Sequence, residues 1–173
     1  MMNRIIGGLL AFLFVFSVAG GNPPREIPSV MTLQEEQAYL TGEPVNETLP
    51  AETFGYPNPQ LVLEWDKQLE LTAEQRSKIQ DIINSRQREA LLFGKKIVAE
   101  ELLLDDLFRK GEINLASFYS AIGNRLESIA GWRWRLRLAH LAAYAKTKMA
   151  LNSGQLKKYH ELRSALPEEV SAK

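Results

Sequence analysis

Two long stretches of helical apolar periodicity, separated by a short break, constrain the fold of this chain more than any other feature. Apolar residues recur at three- and four-residue spacing over residues 79–108 and again over 118–143. The break contains Arg109-Lys110-Gly111, a typical helix end, and Asn114, a typical helix cap. Because so few residues join two helices of roughly ten turns each, we expect a long antiparallel αα-hairpin in an all-α fold.

The two stripes define the predicted core of this hairpin. Their members are Ile79, Ile82, Ile83, Ala90, Phe93, Ile97, Leu104, Leu107 and Phe108 in the first helix, and Phe118, Ile122, Leu126, Ile129, Trp132, Leu136 and Ala143 in the second. Each stripe covers one face of its helix, so the two faces are expected to pack against each other.

A five-residue cap pattern occurs twice, before the first long helix and after the second. Leu71-Thr72-Ala73-Glu74-Gln75 and Leu151-Asn152-Ser153-Gly154-Gln155 each place a capping residue three positions before a glutamine. Thr72 and Asn152 can accept from backbone N–H groups while Gln75 and Gln155 reach back, as in a capping box. In an antiparallel hairpin both caps fall at the same end.

The remaining sequence divides into appendages and short helices. Residues 21–59 are rich in Pro, Glu, Thr and Asn and predict a mostly irregular arm with one short helix over 31–40. A helical domain follows over 60–166, with a first short helix ending near Glu70 and a last helix after Asn152. Residues 167–173 form a polar tail.

The N-terminus predicts export. Residues 1–4 carry a positive charge, residues 5–18 are apolar, and Ala19, Gly20 and Gly21 suit a signal peptidase. We interpret residues 1–20 as a signal peptide, with an uncleaved membrane anchor as the alternative. Either interpretation places the rest of the chain outside the cytoplasm.

Composition argues against several function classes. Lys+Arg and Asp+Glu both number 21, and this balance does not favour nucleic-acid binding. Without cysteine the chain has no disulfide, thiolate metal site or cysteine nucleophile. The acidic residues Glu100, Glu101, Asp105 and Asp106 have no accompanying nucleophile or phosphate loop, so they predict ion pairs and a solvated helix face rather than an enzyme.

The two cap motifs, the hairpin between them and the signal peptide together resemble the Spy/CpxP, or LTXXQ-motif, family of periplasmic proteins. The segment 54–64, FGYPNPQLVLE, is similar to an N-G-Y-P-G-P-x-H-V-L-E segment in one branch of that family. The resemblance implies a four-helix subunit, a cradle-shaped homodimer, and a role as an ATP-independent chaperone or as a stress and heavy-metal sensor with a signalling partner. It also implies that the motif residues are structural caps.

Metal binding is the less favoured of these roles. The resembling branch has three candidate histidines, and at two of these positions this chain has Leu61 and Tyr144 instead. Only the third, His140, is present. We predict no metal or other cofactor, and expect His140 to be half-buried and hydrogen-bonded to a carboxylate. If a metal did bind, His140 would be a ligand, with Glu101 or a neighbouring acidic residue across the hairpin. His160 is expected to be exposed.

The segment Trp132-Arg133-Trp134-Arg135-Leu136-Arg137-Leu138 is the candidate binding surface. On a helix, Trp132 continues the core stripe while Trp134 and Leu138 lie one turn apart on a second face. Arg133, Arg135 and Arg137 flank them, and a mixed basic and aromatic surface suits extended polypeptide. A dimer interface and arginine stems packed over an indole are the alternatives.

The sequence thus predicts a periplasmic chaperone or envelope-stress adaptor. Its expected partners are unfolded envelope proteins, a signalling protein and a second copy of the chain. The second copy is expected because Trp134 and Leu138 add apolar surface outside the two stripes. A metal sensor and an inert structural envelope protein are the alternative functions.

Overall fold

The computed structural model describes residues 27–111 and 114–166, and within them the chain forms six helices and no strand. The helices are α1 (Leu33–Thr41), α2 (Leu49–Thr53), α3 (Pro59–Glu64), α4 (Ala73–Lys110), α5 (Leu115–Ala150) and α6 (Ser153–Ser164). The predicted all-α class is therefore confirmed. The predicted signal peptide and polar tail lie outside the described residues.

Among the described residues, none of the helices combines the length and the apolar character needed to cross a lipid bilayer.

The two long helices α4 and α5 pack as the predicted antiparallel hairpin. A residue late in α4 contacts one early in α5, as Glu100 does with Arg125, and a residue early in α4 contacts one at the end of α5, as Gln75 does with Ala150. Gly111 ends α4 with a φ of 63°, a left-handed conformation that glycine adopts without strain. At the start of α5 the Asn114 side chain accepts from the Ser117 N–H at 2.9 Å.

The predicted core stripes were too wide near the tip of the hairpin. Phe108 and Leu126 are more than half exposed, although both were assigned to the core. Two packed helices bury only a narrow seam between them, so apolar residues at the flanks of a wide stripe remain exposed unless a third element covers them. The side chain of Phe118 lies outside the described residues.

The N-terminal arm is more ordered than the sequence predicted. It contains α1, close to the predicted short helix, and also α2, which was not predicted. We call residues 27–58 the N-terminal strap, because its contacts run along the hairpin from the Asp105 region to α6. Ser29 donates to Asp105 at 2.6 Å, and the Asn58 N–H donates to the Tyr159 hydroxyl at 2.9 Å.

Close packing of α1 on α4 fixes the strap in place. Tyr39 joins a buried cluster with Ala90, Ile97, Val98 and Leu136. Gly94 lies directly beneath the backbone of α1, where an added Cβ would be 2.0 Å from the Tyr39 carbonyl oxygen. The Gln87 side chain donates to the Thr41 carbonyl at 2.5 Å. A side chain larger than hydrogen at position 94 is therefore incompatible with this packing.

The first short helix of the domain is shorter than predicted. It ends at Glu64 rather than near Glu70, and a turn follows in which Glu70 has a φ of 51°. The turn lets Leu69 and Leu71 both enter the core, although they are only two residues apart. They pack there with Val62, Ile79, Leu151 and Tyr159.

Candidate functional site

The two cap motifs are joined to each other at the base of the hairpin. Both form the predicted capping boxes, with Thr72 and Asn152 as N-caps. The side-chain amides of Gln75 and Gln155 also bond to each other in both directions, at 2.8 and 3.0 Å. Their remaining N–H groups reach the carbonyls of Ala150 and Leu69 across the hairpin end.

The leucine of each motif completes this arrangement, because Leu71 and Leu151 are both buried in the core cluster at the same end. The motif residues thus hold α4 and α6 together through caps, amides and apolar contacts. We call this unit the amide clasp; its members are Leu71, Thr72, Gln75, Leu151, Asn152 and Gln155. Its chemistry is structural, since both glutamine amides and both cap oxygens are bonded within the fold.

The basic and aromatic segment 132–138 lies in the middle of α5, and the helix divides it between an inner and an outer side. Leu136 is buried against α4, as the stripe predicted. Trp132 is half-buried and stacks on Phe93 with ring centroids 6.0 Å apart. Lys96 and Arg135 both lie over its ring, at 4.6 and 4.8 Å from the centroid. Arg135 is therefore used in part by a contact within the chain.

Arg133 also interacts within the chain. Its guanidinium donates to Glu101 at 2.8 Å, and Glu101 is buried. Burial raises the pKa of Glu101, and the Arg133 charge opposes that rise. Glu100 makes a second pair across the hairpin, with Arg125 at 2.7 Å. The prediction of ion pairing between the helices is confirmed for these two carboxylates.

The other three residues of the candidate surface share the outer side of α5. Trp134 is 64% exposed, Leu138 is 50% exposed, and Arg137 is exposed between them. Leu141 continues the same side one turn further on, since residues three and four apart are neighbours on a helix. We call Trp134, Arg137, Leu138 and Leu141 the outer face. The predicted second face is thus present, but Arg133 and Arg135 contribute to it less than expected.

The outer face borders a groove that the sequence did not predict. The groove has a volume of about 250 Å³, and its walls come from α5 and from the strap around α2. Its lining residues are Pro50, Ala51, Phe54, Tyr56 and Leu141. Phe54 is 78% exposed. The available signal was a pair of aromatic residues flanking Gly55 in a segment interpreted only as a turn; Gly55 has a φ of 69°.

Positive charge surrounds this surface. Between Glu127 and Glu161 the chain carries seven Lys or Arg residues and no Asp or Glu. Lys148 lies over the Tyr56 ring at 4.1 Å from its centroid, at the edge of the groove. On the strap, Glu47 accepts from two backbone N–H groups, and Glu52 accepts from Tyr144 at 2.7 Å. These strap carboxylates are bonded within the chain.

His140 does not lie where the sequence placed it. It is fully buried rather than half-buried, and both of its ring nitrogens lack a hydrogen-bond partner among the described residues. Burial lowers its pKa to about 4; Glu47 acts to raise the pKa and Arg86 to lower it. The expected hydrogen bond to a carboxylate is therefore wrong, and Glu101, the acidic candidate across the hairpin, instead pairs with Arg133, about 10 Å away along α5.

Two charged side chains of opposite sign act on His140. Glu47 lies on the strap, and Arg86, itself buried, lies on α4. Tyr144, where the resembling branch has a histidine, uses its hydroxyl to donate to Glu52. Within the described part of the chain no three His, Cys, Asp or Glu side chains come together as a metal site would require. His160 is exposed, as predicted, and packs its ring against Gly55 and Tyr159.

Comparisons of the chain with models of protein families, with curated proteins and with solved structures each gave no match.

Proposed function

We propose that this chain is an ATP-independent chaperone or stress adaptor of the bacterial periplasm, which binds unfolded or partner proteins on the outer face of α5. The observation that carries the proposal is the outer face itself. Trp134 and Leu138 are each at least half exposed on a helix whose opposite side is buried. Leu141, on the same face, shares a groove with the exposed Phe54, and exposed apolar side chains grouped next to basic ones are typical of interaction sites.

The composition of this surface suits a partner without a fixed shape. Trp134 offers a wide apolar ring with one N–H donor, and Arg137 offers a planar group that pairs with carboxylates or stacks on aromatic rings. Neither contact requires a particular fold in the partner. Unfolded segments of envelope proteins expose apolar and aromatic side chains that folded proteins mostly bury, beside carboxylates that are exposed in both states.

The resemblance to the Spy/CpxP family supports the compartment and the mode of action in this proposal. The amide clasp gives the motif residues a structural use, as that resemblance implies. A homodimer belongs to the proposal too, because a second copy could cover part of the apolar surface. Sedimentation at tens of micromolar tests the dimer separately; a monomer at that concentration would contradict it.

An aggregation assay tests the function. The protein, purified from cells that express the full chain, is added in chelator and without ATP to a reduced client that aggregates. We expect suppression that increases with molar ratio and is weakened several-fold by the double change Trp134→Ser with Leu138→Ser. Leu92→Ser is the matched control, because Leu92 is exposed to nearly the same extent as Leu138 but lies on α4.

Two results would contradict the proposal. One is an absence of suppression by the wild type at any ratio. The other is suppression only after zinc, nickel or copper is restored, which would favour the metal sensor. Equal effects of the outer-face change and of Leu92→Ser would leave the chaperone activity but remove its assignment to this face.

A further inference from the structure

The groove beside the outer face has chemistry of its own. Its walls are apolar, and Phe54, Pro50 and Leu141 open towards solvent while Ala51 forms its buried floor. At about 250 Å³ it is smaller than the roughly 300–1,000 Å³ of typical small-molecule pockets. A groove of this size and shape suits one large apolar side chain.

The charges around the groove determine which residues can lie next to that apolar side chain in a bound segment. On α5, Arg137 lies one turn before Leu141 and Lys148 lies two turns after it, so the groove has a cation on either side along the helix. No acidic residue occurs on this helix after Glu127. The nearby strap carboxylates, Glu47 and Glu52, are bonded within the chain and so are less available to neutralise these cations.

We infer that the groove lined by Phe54, Tyr56 and Leu141 binds an extended polypeptide segment in which a large apolar residue is flanked by acidic residues. The apolar side chain enters the groove, and the flanking carboxylates approach Arg137 and Lys148. This inference deepens the proposed function, because it names the class of segment that the chaperone surface selects. The two cations also allow binding in either chain direction, since each meets a carboxylate.

The site depends on the strap as well as on the hairpin. Phe54 and Tyr56 are held beside α5 by the bond from Tyr144 to Glu52 and by the bond from the Asn58 N–H to Tyr159. Arg163 lies 3.8 Å from Glu52 and adds a third tie from α6. The groove is therefore preformed, and a peptide need not order it on binding.

Fluorescence anisotropy with short labelled peptides tests the inference. The peptides share one sequence and differ only at the centre, Leu or Ser, and at the flanks, Glu or Lys. We expect the Leu peptide with Glu flanks to bind at least ten-fold tighter than either the Ser peptide with Glu flanks or the Leu peptide with Lys flanks, with binding weakened by salt. Phe54→Ser should weaken it at least five-fold, and Arg137→Glu should remove the preference for Glu flanks.

Matched controls come from α4. Leu92→Ser removes an exposed apolar side chain, and Lys95→Glu reverses an exposed charge, and both should leave peptide binding unchanged. Equal affinity for Glu and Lys flanks, or an unchanged affinity in Phe54→Ser, would overturn the inference. So would Phe54-dependent flotation on phosphatidylglycerol vesicles without peptide binding, since the occupant would then be a lipid surface.

The aggregation assay on the same variants separates the two proposals. Suppression that survives Phe54→Ser, with no selectivity among the peptides, defeats the groove and leaves the chaperone. Selective peptide binding without any suppression defeats the chaperone and leaves the groove as a specific docking site for acidic segments.

Discussion

Replacing Gly94 by alanine should destabilise the protein, although the same change elsewhere in these helices should stabilise it. Alanine is favoured over glycine inside a helix by about 1 kcal/mol. At position 94, however, the new methyl group would be placed 2.0 Å from the Tyr39 carbonyl oxygen, a backbone atom that cannot rotate away. Helix α1 would have to shift outward, and Tyr39 would lose contact with the cluster around Ala90 and Ile97.

Gly131 supplies the comparison from which the magnitude follows. It lies inside α5, and a Cβ added there would meet nothing within 4 Å. Both substitutions gain the same helix propensity, so the difference between them isolates the clash with α1. Overpacking of this kind costs about 1–3 kcal/mol. Gly131→Ala should therefore stabilise the fold by about 1 kcal/mol, and Gly94→Ala should be about 1–3 kcal/mol less stable than Gly131→Ala. Relative to the wild type, Gly94→Ala should then lose up to about 2 kcal/mol.

Thermal and urea unfolding of the two variants and the wild type measure this difference. For a chain of this size each kcal/mol corresponds to about 2–4 °C in the unfolding midpoint. Hydrogen exchange should in addition show faster exchange of α1 amides in Gly94→Ala, with α5 little affected. Equal midpoints for the two variants would refute the reasoning, because α1 would then not lie against position 94 in solution.

Two other predictions concern buried polar groups. Gln75→Ala and Gln155→Ala should each cost about 1–3 kcal/mol, and the double variant should cost less than their sum by about 1 kcal/mol, because either single change already removes the bonds between the two amides. Urea unfolding tests this, with Gln80→Ala as the exposed control, and additive losses would contradict the amide clasp. His140 has a pKa of about 4 in the folded chain and 6.5 in the unfolded chain. Between these two pH values only the unfolded chain binds a proton at His140, so the free energy of unfolding falls as the pH falls. The loss reaches about 3 kcal/mol at the lower end of this range. His140→Leu should flatten that pH dependence while His160→Gln leaves it intact, and an unchanged slope in His140→Leu would show that other groups cause the loss.

The parts of the fold that could be predicted from sequence are those fixed by local chemistry. Thr72 and Asn152 were identified as caps because a capping box uses residues only three positions apart. Gly111 was identified because left-handed C-caps favour glycine. Antiparallel packing of α4 and α5 followed from the short connection between two long stripes. Each of these inferences needs only neighbouring residues or a length.

What could not be predicted depends on contacts between distant segments. The bond between Gln75 and Gln155 joins residues 80 positions apart, although the hairpin placed their motifs at one end. The only sequence signal for the packing of α1 on α4 was Gly94, which lies within the apolar stripe of α4. A single glycine in a helix has several explanations, so this signal could not predict the contact. His140 was misplaced because its sequence neighbours do not reveal that the strap brings Glu47 near it rather than a carboxylate from α4.

The candidate binding surface, too, could be predicted only where it depends on local sequence. Exposure of Trp134 and Leu138 followed from their helical positions, since they lie off the apolar stripe. The partners of Arg133 and Arg135 did not follow, because they depend on the register between α4 and α5, which sets Glu101 and Trp132 beside them. The groove at Phe54 was missed for a related reason, since four of its five lining residues belong to a strap that was predicted to be mostly irregular.

The position of the strap bears on why the outer face is exposed at all. The strap packs Tyr39 on the apolar cluster around Ala90 and Leu136 and runs near His140, but it leaves Trp134 and Leu138 open to solvent. Apolar burial contributes about 25 cal/mol per Å², so covering Trp134 and Leu138 as well would add stability. A chain that leaves these two side chains exposed has given up that stability in its monomeric form. This is the pattern expected when an apolar surface is kept for binding, and it supports assigning the function to the outer face and its groove.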